Sequence, residues 1–304
     1  MQTVLITGGT GMVGQSLTNF LIESGYEVIV LTRSEKRSSR LHLSYATWDI
    51  DKEYIDPVAF QKADIIVHLA GESVATKRWT KQRKEAILNS RVQSGALLVK
   101  ALKELEHKVK TIISASAIGW YGPDTEKSLR KGFAEIDPVD ISFLGDTCKQ
   151  WEESVYPIKE LGIRMVTLRI GIVFNKRGGA LLEFIKPAKL GVAAILGDGK
   201  QIVSWIHHQD LNGIIHFAIQ NAIQGIYNAV APQTISNQLL TEQIAAKFHS
   251  RYIKLFVPEW ALKILLGEMS IEVLKSANVS SQKIQDEGFR FEYPTIEHAL
   301  NHLL

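Results

Sequence analysis

The chain of 304 residues is poor in features that would place it outside the ordinary soluble classes. It has one cysteine, Cys148, so it can close no internal disulfide, and a reducing compartment fits. No run approaches the roughly 20 apolar residues of a membrane span. The opening MQTVLITGG lacks the basic start and long apolar stretch of a secretion signal, so a cytoplasmic location is expected. No charge of one sign dominates: 35 basic against 32 acidic side chains leave +3, which is no nucleic-acid footprint. The nine histidines are scattered, and none stands at zinc-ligand spacing from a Cys, Asp or Glu, so no metal site is expected. There is no P-loop, no Gly-x-Ser-x-Gly elbow, no internal repeat and no low-complexity tract. With 45% apolar and 22% charged residues, the balance is that of a globular protein.

What is present is alternation. Nearly continuous apolar runs at 3–7, 27–32, 63–70, 110–116 and 164–170 read as strands buried on both faces. Between them lie helical patterns over 13–24 (ending at Gly25), 79–105, and 143–161 (ending at Gly162). Strand–helix alternation predicts an α/β fold, a Rossmann-type doubly wound parallel sheet with right-handed crossovers. After Ile170 the texture becomes glycine-rich and then helical. A dinucleotide-binding domain over 1–170 is therefore expected, with a smaller, discontinuous α+β substrate region over 171–304 from which strands can return to the first domain.

Gly8, Gly11 and Gly14 fall between the first strand and the first helix. Glycines there allow a tight turn, let backbone approach a pyrophosphate, and let the helix pack on the strand. The helix start adds free N–H groups and the positive dipole end. Gly8, Thr10, Gly11, Met12, Val13 and Gly14 are thus candidate cofactor-binding residues. An NAD site usually has an acid at the end of the second strand, for the ribose 2′-OH. Here that place holds Thr32, followed by Arg33. A guanidinium can pair with a 2′-phosphate, so the expected cofactor is NADP, with Arg37 and Arg40 as further candidates.

The motifs TGGTGMVG, HLAGE (68–72), SASAIGWYG (114–122) and SWIHHQDL (204–211) resemble the extended short-chain dehydrogenase/reductase superfamily. The stretch HLAGESVATKRWTKQRKEAILNSRVQS and the tail VPEWALKILLGEMSIEVL narrow the resemblance to an atypical epimerase-family, nucleoside-diphosphate-sugar-epimerase-like group with its own C-terminal domain. The resemblance implies that Leu69, Ala70, Gly71 and Glu72 line the cofactor and that Arg91 contacts it. It places His207 and Asp210 toward the substrate side, where Asp210 also reads as the N-cap of the following helix and His207 as a structural or rim histidine. The basic stretch 77–84 reads as one face of a long helix near the site's mouth.

Enzymes of the superfamily use a Tyr-x-x-x-Lys pair, in which the lysine lowers the tyrosine pKa and the tyrosine moves the proton. None of the eight tyrosines here has a lysine four residues later. Aligned on Glu152, Leu144 stands for the tyrosine and Cys148 for the lysine. The remaining candidates for catalysis are Ser116, by resemblance near the nicotinamide, and Tyr121, as a substitute proton donor or else a packing residue beside Trp120.

Two readings follow. One is an NADP(H)-dependent oxidoreductase or epimerase-like enzyme on a small polar substrate. The other is a non-catalytic NADP(H)-binding sensor or interaction protein. Neither nucleic acid nor membrane is an expected partner. Relatives in the superfamily often dimerise through two long helices, here 79–105 and 143–161, but Lys81, Lys100, Lys103 and Glu104 keep parts of the first polar, so a monomer or a homodimer is expected.

Overall fold

In the computed structural model, which describes residues 1–304, β1 (Thr3–Thr7) leads into α1 (Met12–Glu23) and β2 (Glu27–Thr32). β3 (Leu43–Asp49), β4 (Tyr54–Ile55), α2 (Pro57–Lys62), β5 (Ile65–His68) and α3 (Lys81–Glu104) follow. β6 (Thr111–Ala117), α4 (Glu126–Lys131), α5 (Phe143–Val155) and β7 (Arg164–Ile170) complete the first part. The second part starts with β8 (Ile172–Phe174), α6 (Ala180–Ala188), β9 (Val192–Leu196), β10 (Ile202–Val203) and β11 (Trp205–His207). It continues through α7 (His208–Gln220), β12 (Gly225–Ala229), β13 (Ile235–Ser236), α8 (Asn237–Phe248) and β14 (Ile253–Val257). The tail is helical: α9 (Glu259–Leu266), α10 (Ser270–Leu274), α11 (Gln282–Asp286) and α12 (Ile296–Leu303).

Eight strands form one sheet in the order β12-β7-β6-β5-β1-β2-β3-β4, parallel except for the β3–β4 edge. The strand order reverses between β5 and β1, which opens a crevice beyond the carboxyl ends of these two strands. Alternation along β1 explains the layers. Val4 and Ile6 enter a core with Leu17 and Leu21 of α1 and Ile214 and Ile215 of α7. Leu5 enters the opposite core with Leu97 and Leu98 of α3 and Val155 of α5. A third core, around Phe174, Trp205, Leu240 and Leu300, builds the smaller region. β12 returns from that part of the chain to the large sheet beside β7.

Several elements differ from the sequence reading for local reasons. β3 was not expected: near the sheet edge it buries only alternate residues, so Ser44, Thr47 and Asp49 interrupt its apolar run. β5 is shorter than 63–70, because Ala63 ends α2 and Leu69 and Ala70 turn aside to Thr7. The helix expected from 79 starts at Lys81. Thr80 caps it by accepting the Arg83 N–H at 3.1 Å, so Arg78 and Trp79 lie in the loop before it. α5 ends at Val155, and Pro157 lies in a tighter 3₁₀ segment over Tyr156–Leu161.

Candidate functional site

The β1–α1 turn is a backbone cradle. Gly8 has a left-handed φ of +70°, and a Cβ there would stand 2.7 Å from the Leu69 carbonyl. A Cβ on Gly14 would stand 2.4 Å from the Gly8 oxygen, so α1 can sit this close to the strand end only with glycine at that position. Gly9, which the sequence reading did not single out, matters equally: its Cβ would meet Val30 at 2.7 Å. The spacing of the triplet drew attention away from it. Gly11 differs, because its Cβ would meet only the Gly8 oxygen, at 3.3 Å. It is the N-cap of α1 and no side chain caps the helix, so the first-turn N–H groups of Met12, Val13 and Gly14 have no side-chain acceptor at the cap. Thr10 is exposed, and its carbonyl takes the Gln15 amide at 2.7 Å. This geometry fits a dinucleotide pyrophosphate.

Thr32 is buried at the end of β2, where its hydroxyl takes the Ser34 N–H at 3.4 Å. Arg33 and Arg37 are exposed and pair with no carboxylate, whereas Arg40 is held by Asn19.

At the end of β5 the wall of the crevice is wired internally. Thr7 Oγ1 accepts the N–H groups of Leu69 (3.1 Å) and Ala70 (3.2 Å), so its own hydrogen goes to His68 Nδ1 at 2.8 Å. His68 Nε2–H then faces Ser94 Oγ at 3.4 Å, and Ser94 donates to the Arg91 carbonyl at 3.0 Å. This chain needs neutral His68. Burial lowers its pKa to about 4. Gly71 lies against the Arg91 guanidinium, since a Cβ there would be 3.1 Å from Cζ. Arg91 Nη1 donates to the carbonyls of Glu72 (3.0 Å) and Ile87 (2.9 Å), and the guanidinium carbon lies 4.9 Å from the Trp151 ring centroid. Burial lowers the Arg91 pKa, and no carboxylate pairs with it. The Glu72 carboxylate instead takes Arg83 Nη1 at 3.0 Å.

At the end of β6 the polar groups close on one another. Ser116, 2% exposed, donates to Glu152 Oε1 at 2.7 Å. Glu152 is held by Arg169 through two bonds, Nε–Oε1 at 2.9 Å and Nη2–Oε2 at 3.1 Å. Arg169, 1% exposed, lies 3.6 Å from the Trp120 ring centroid and donates to the Glu135 carbonyl and the Tyr121 hydroxyl. Tyr121 is fully buried, stacked on Phe133, and gives its hydrogen to Asn228 Oδ1 at 2.7 Å. Burial pushes its pKa up to about 12 despite Arg169 beside it. Leu144 and Cys148 pack on Gly119, just past the strand end. Burial pushes the Cys148 thiol up to about 12, with Glu152 adding to it. The structure thus joins Ser116 and Tyr121 in one buried network, in which each hydroxyl gives its hydrogen to a side chain of the protein. The sequence signal for that network was Arg169, a charge near the carboxyl end of a largely apolar strand.

The second part of the chain covers the crevice from above. A Cβ on Gly178 or Gly179 would lie 3.3 or 3.1 Å from the Met12 side chain, so the loop before α6 crosses the start of α1. Arg78 reaches the Ile264 carbonyl at 2.8 Å, and Lys84 pairs with Glu268 at 2.9 Å. The expectation for Asp210 is corrected. His207 is the N-cap of α7, accepting the Gln209 N–H at 3.1 Å on Nδ1. Asp210, 2% exposed in the first turn, instead binds the backbone N–H groups of Glu292 and Tyr293. His207 is fully buried, stacked on Tyr293, with Nε2 directed at His302 Nδ1 at 3.1 Å. Both residues fasten the C-terminal tail to α7 and line no open rim.

The family model for the NAD dependent epimerase/dehydratase family matches residues 4–229, and a domain family of unknown function matches residues 257–303. An epimerase family protein of Staphylococcus aureus is 35% identical over 100% of this chain and 99% of its own length. The solved structure of the human epimerase family protein SDR39U1 with NADPH is 26% identical, with a TM-score of 0.87 and 99% of each chain covered. A nucleoside-diphosphate sugar epimerase from Corynebacterium glutamicum is 31% identical with a TM-score of 0.77, over 99% of this chain but 58% of that one. No helix of this chain is long and apolar enough to cross a membrane.

Proposed function

The chain belongs to the NAD-dependent epimerase/dehydratase family, and from that premise we propose that it binds NADP(H) in the crevice beside the β1–α1 turn. The observation that carries this reading is the cradle itself: Gly8, Gly9 and Gly14 are held against backbone or Val30, while a Cβ on Gly11 would meet only the Gly8 oxygen, at 3.3 Å. Thr32 in place of an acid and the unpaired Arg33 support the phosphorylated cofactor, as does the NADPH in the human relative. In this reading, Thr10, Met12 and Val13 offer backbone groups to the pyrophosphate. Leu69, Ala70, Gly71 and Glu72 form the wall past the switch point, with Arg91 giving that wall a fixed positive charge. When bound, the cofactor supplies a hydride donor or acceptor. The chain's own contribution is to hold it and to keep the β6 end dry. The expected outcome for Arg33→Asp is a loss of NADPH affinity of about tenfold or more, with NADH affinity nearly unchanged. Equal loss for both nucleotides would remove the 2′-phosphate role.

An oxidoreductase or epimerase-like reaction on a small substrate under the second part of the chain is the catalytic form of this proposal. The buried hydroxyls of Ser116 and Tyr121 favour the second form, binding without turnover, because neither has a proton to offer a ligand. Transfer of deuterium from 4-deuterated NADPH to a panel of carbonyl compounds separates them: labelled alcohol supports the enzyme, and no label with intact binding supports the sensor.

A further inference from the structure

Arg91 is a mostly buried cation that the protein leaves half satisfied. Its Nη1 is spent on the carbonyls of Glu72 and Ile87, whereas Nε and Nη2 have no acceptor in the chain. Neither is sealed from solvent, unlike the unpartnered Arg83 Nε and Trp151 Nε1 nearby. Gly71 keeps that edge open. It is exposed, and a Cβ there would stand 3.1 Å from Cζ and 3.3 Å from Nε, so any side chain at this position would cover the guanidinium. The charges around it do not balance. Glu72 pairs with Arg83 at 3.0 Å, and Glu152 pairs with Arg169 at 2.9 Å. Cys148, beside Arg91, keeps its proton because burial pushes the thiol up to about 12. His68, which faces Ser94, is neutral. The Trp151 ring offers the guanidinium a face but no charge. A positive charge therefore stands uncompensated in this wall of the crevice.

A dinucleotide with its pyrophosphate at the β1–α1 turn and its 2′-phosphate at Arg33, past β2, runs its nicotinamide half the other way, across the ends of β5 and β6. Gly71 and Arg91 stand on that side of the reversal in strand order. The two forms of the cofactor differ there by one charge: the oxidised ring is a cation and the reduced ring is neutral. We propose, resting on the NADP(H) reading above, that Arg91 makes the crevice select the reduced cofactor, its guanidinium repelling the ring of NADP+ and not that of NADPH. Water screens such repulsion poorly in a half-buried site, so a single charge suffices for a selectivity of about tenfold or more. The open Nε–Nη2 edge can donate to neutral oxygens of either form, so the effect falls on the difference between the forms rather than on binding itself. Such a site fills with NADPH and empties as the pool is oxidised, which is what binding without turnover requires of a redox sensor.

The test is titration of the full chain with NADPH, with NADP+ and with adenosine 2′,5′-bisphosphate, which lacks the nicotinamide half. The wild-type chain is expected to bind NADPH at least about tenfold tighter than NADP+. Arg91→Met should bring that ratio close to one and leave the bisphosphate affinity unchanged, while Arg91→Lys, which keeps the charge, should keep most of the ratio. Arg83→Met reaches the same balance by another route. It removes a side chain whose Nε has no acceptor, keeps Arg91 and frees the Glu72 carboxylate, so the ratio falls with the fold intact. Equal wild-type affinities for NADPH and NADP+ overturn the inference and leave the cofactor reading standing. So does a ratio that neither Arg91→Met nor Arg83→Met lowers. Loss of bisphosphate affinity in a folded Arg91→Met chain places Arg91 at the other half of the cofactor and overturns it too. A wild-type chain that binds none of these ligands overturns the cofactor reading itself, and the inference with it.

Discussion

The two ends of the crevice at the carboxyl edge of the sheet are built on opposite plans. At the β1–α1 end, backbone does the work: glycines bring chain segments within contact distance, and the first-turn N–H groups of α1 have no cap. At the β6–α5 end, side chains do the work and use one another up: Ser116, Glu152, Arg169, Tyr121 and Asn228 form a continuous buried chain of bonds. The first end keeps its capacity to bind an anion. The second has spent its polar groups on holding β6, β7, β12 and α5 together. The two plans stand side by side along one edge of one sheet.

That contrast breaks most sharply at Glu152. Glu152→Ala leaves the Arg169 cation buried without its partner and is expected to cost roughly 3–5 kcal/mol in chemical denaturation. Nucleotide affinity of the remaining folded protein should not change. A small stability loss with a large affinity loss would move Glu152 from scaffold to site. Gly11→Val probes the other end. Its Cβ would meet one backbone atom, the Gly8 oxygen at 3.3 Å, so the fold should stay cooperative, while NADPH binding falls by about a hundredfold or more. Retained binding would reduce the turn to a connector.

Acid should act through the buried and half-buried histidines beside β1, α1 and α7. The folded pKa values of His68, His207 and His208 lie at about 4, about 3 and about 4, below the 6.5 of an unperturbed imidazole. The unfolded chain therefore binds more protons than the folded one as pH falls below 6.5, and stability drops from there toward pH 4. Asp210, raised to about 6 by burial, has the opposite sign and regains stability between pH 6 and 4. Three histidines outweigh one carboxyl, so the net loss is expected to be a few kcal/mol, read from urea midpoints at pH 7.5 and 5. A flat profile would contradict the neutral histidine chains. The smallest expected effect is Tyr121→Phe, about 1–2 kcal/mol from leaving Asn228 Oδ1 without its donor, with NADPH affinity unchanged. A loss of turnover without that stability change would make Tyr121 a catalytic residue after all.

The glycine end was legible in the sequence because a backbone requirement is written locally, over residues 8–14. Even so, Gly9 escaped, since its constraint is Val30 on a different strand. The β6 end was not legible. Glu152 meets Ser116 across 36 positions and Arg169 across 17, and only the β6–β7 register and the seat of α5 bring them together. Asp210 misled for the same reason: its partners, the backbone N–H groups of residues 292 and 293, lie more than 80 positions away. Periodicity found the buried parallel strands and lost β3, whose solvent face breaks the pattern.

The most direct test is an equilibrium titration of the purified chain with NADPH and with NADH, followed by quenching of tryptophan fluorescence. Saturable NADPH binding at least about tenfold tighter than that of NADH is the expected result. Equal affinities, or no binding of either nucleotide, would contradict it.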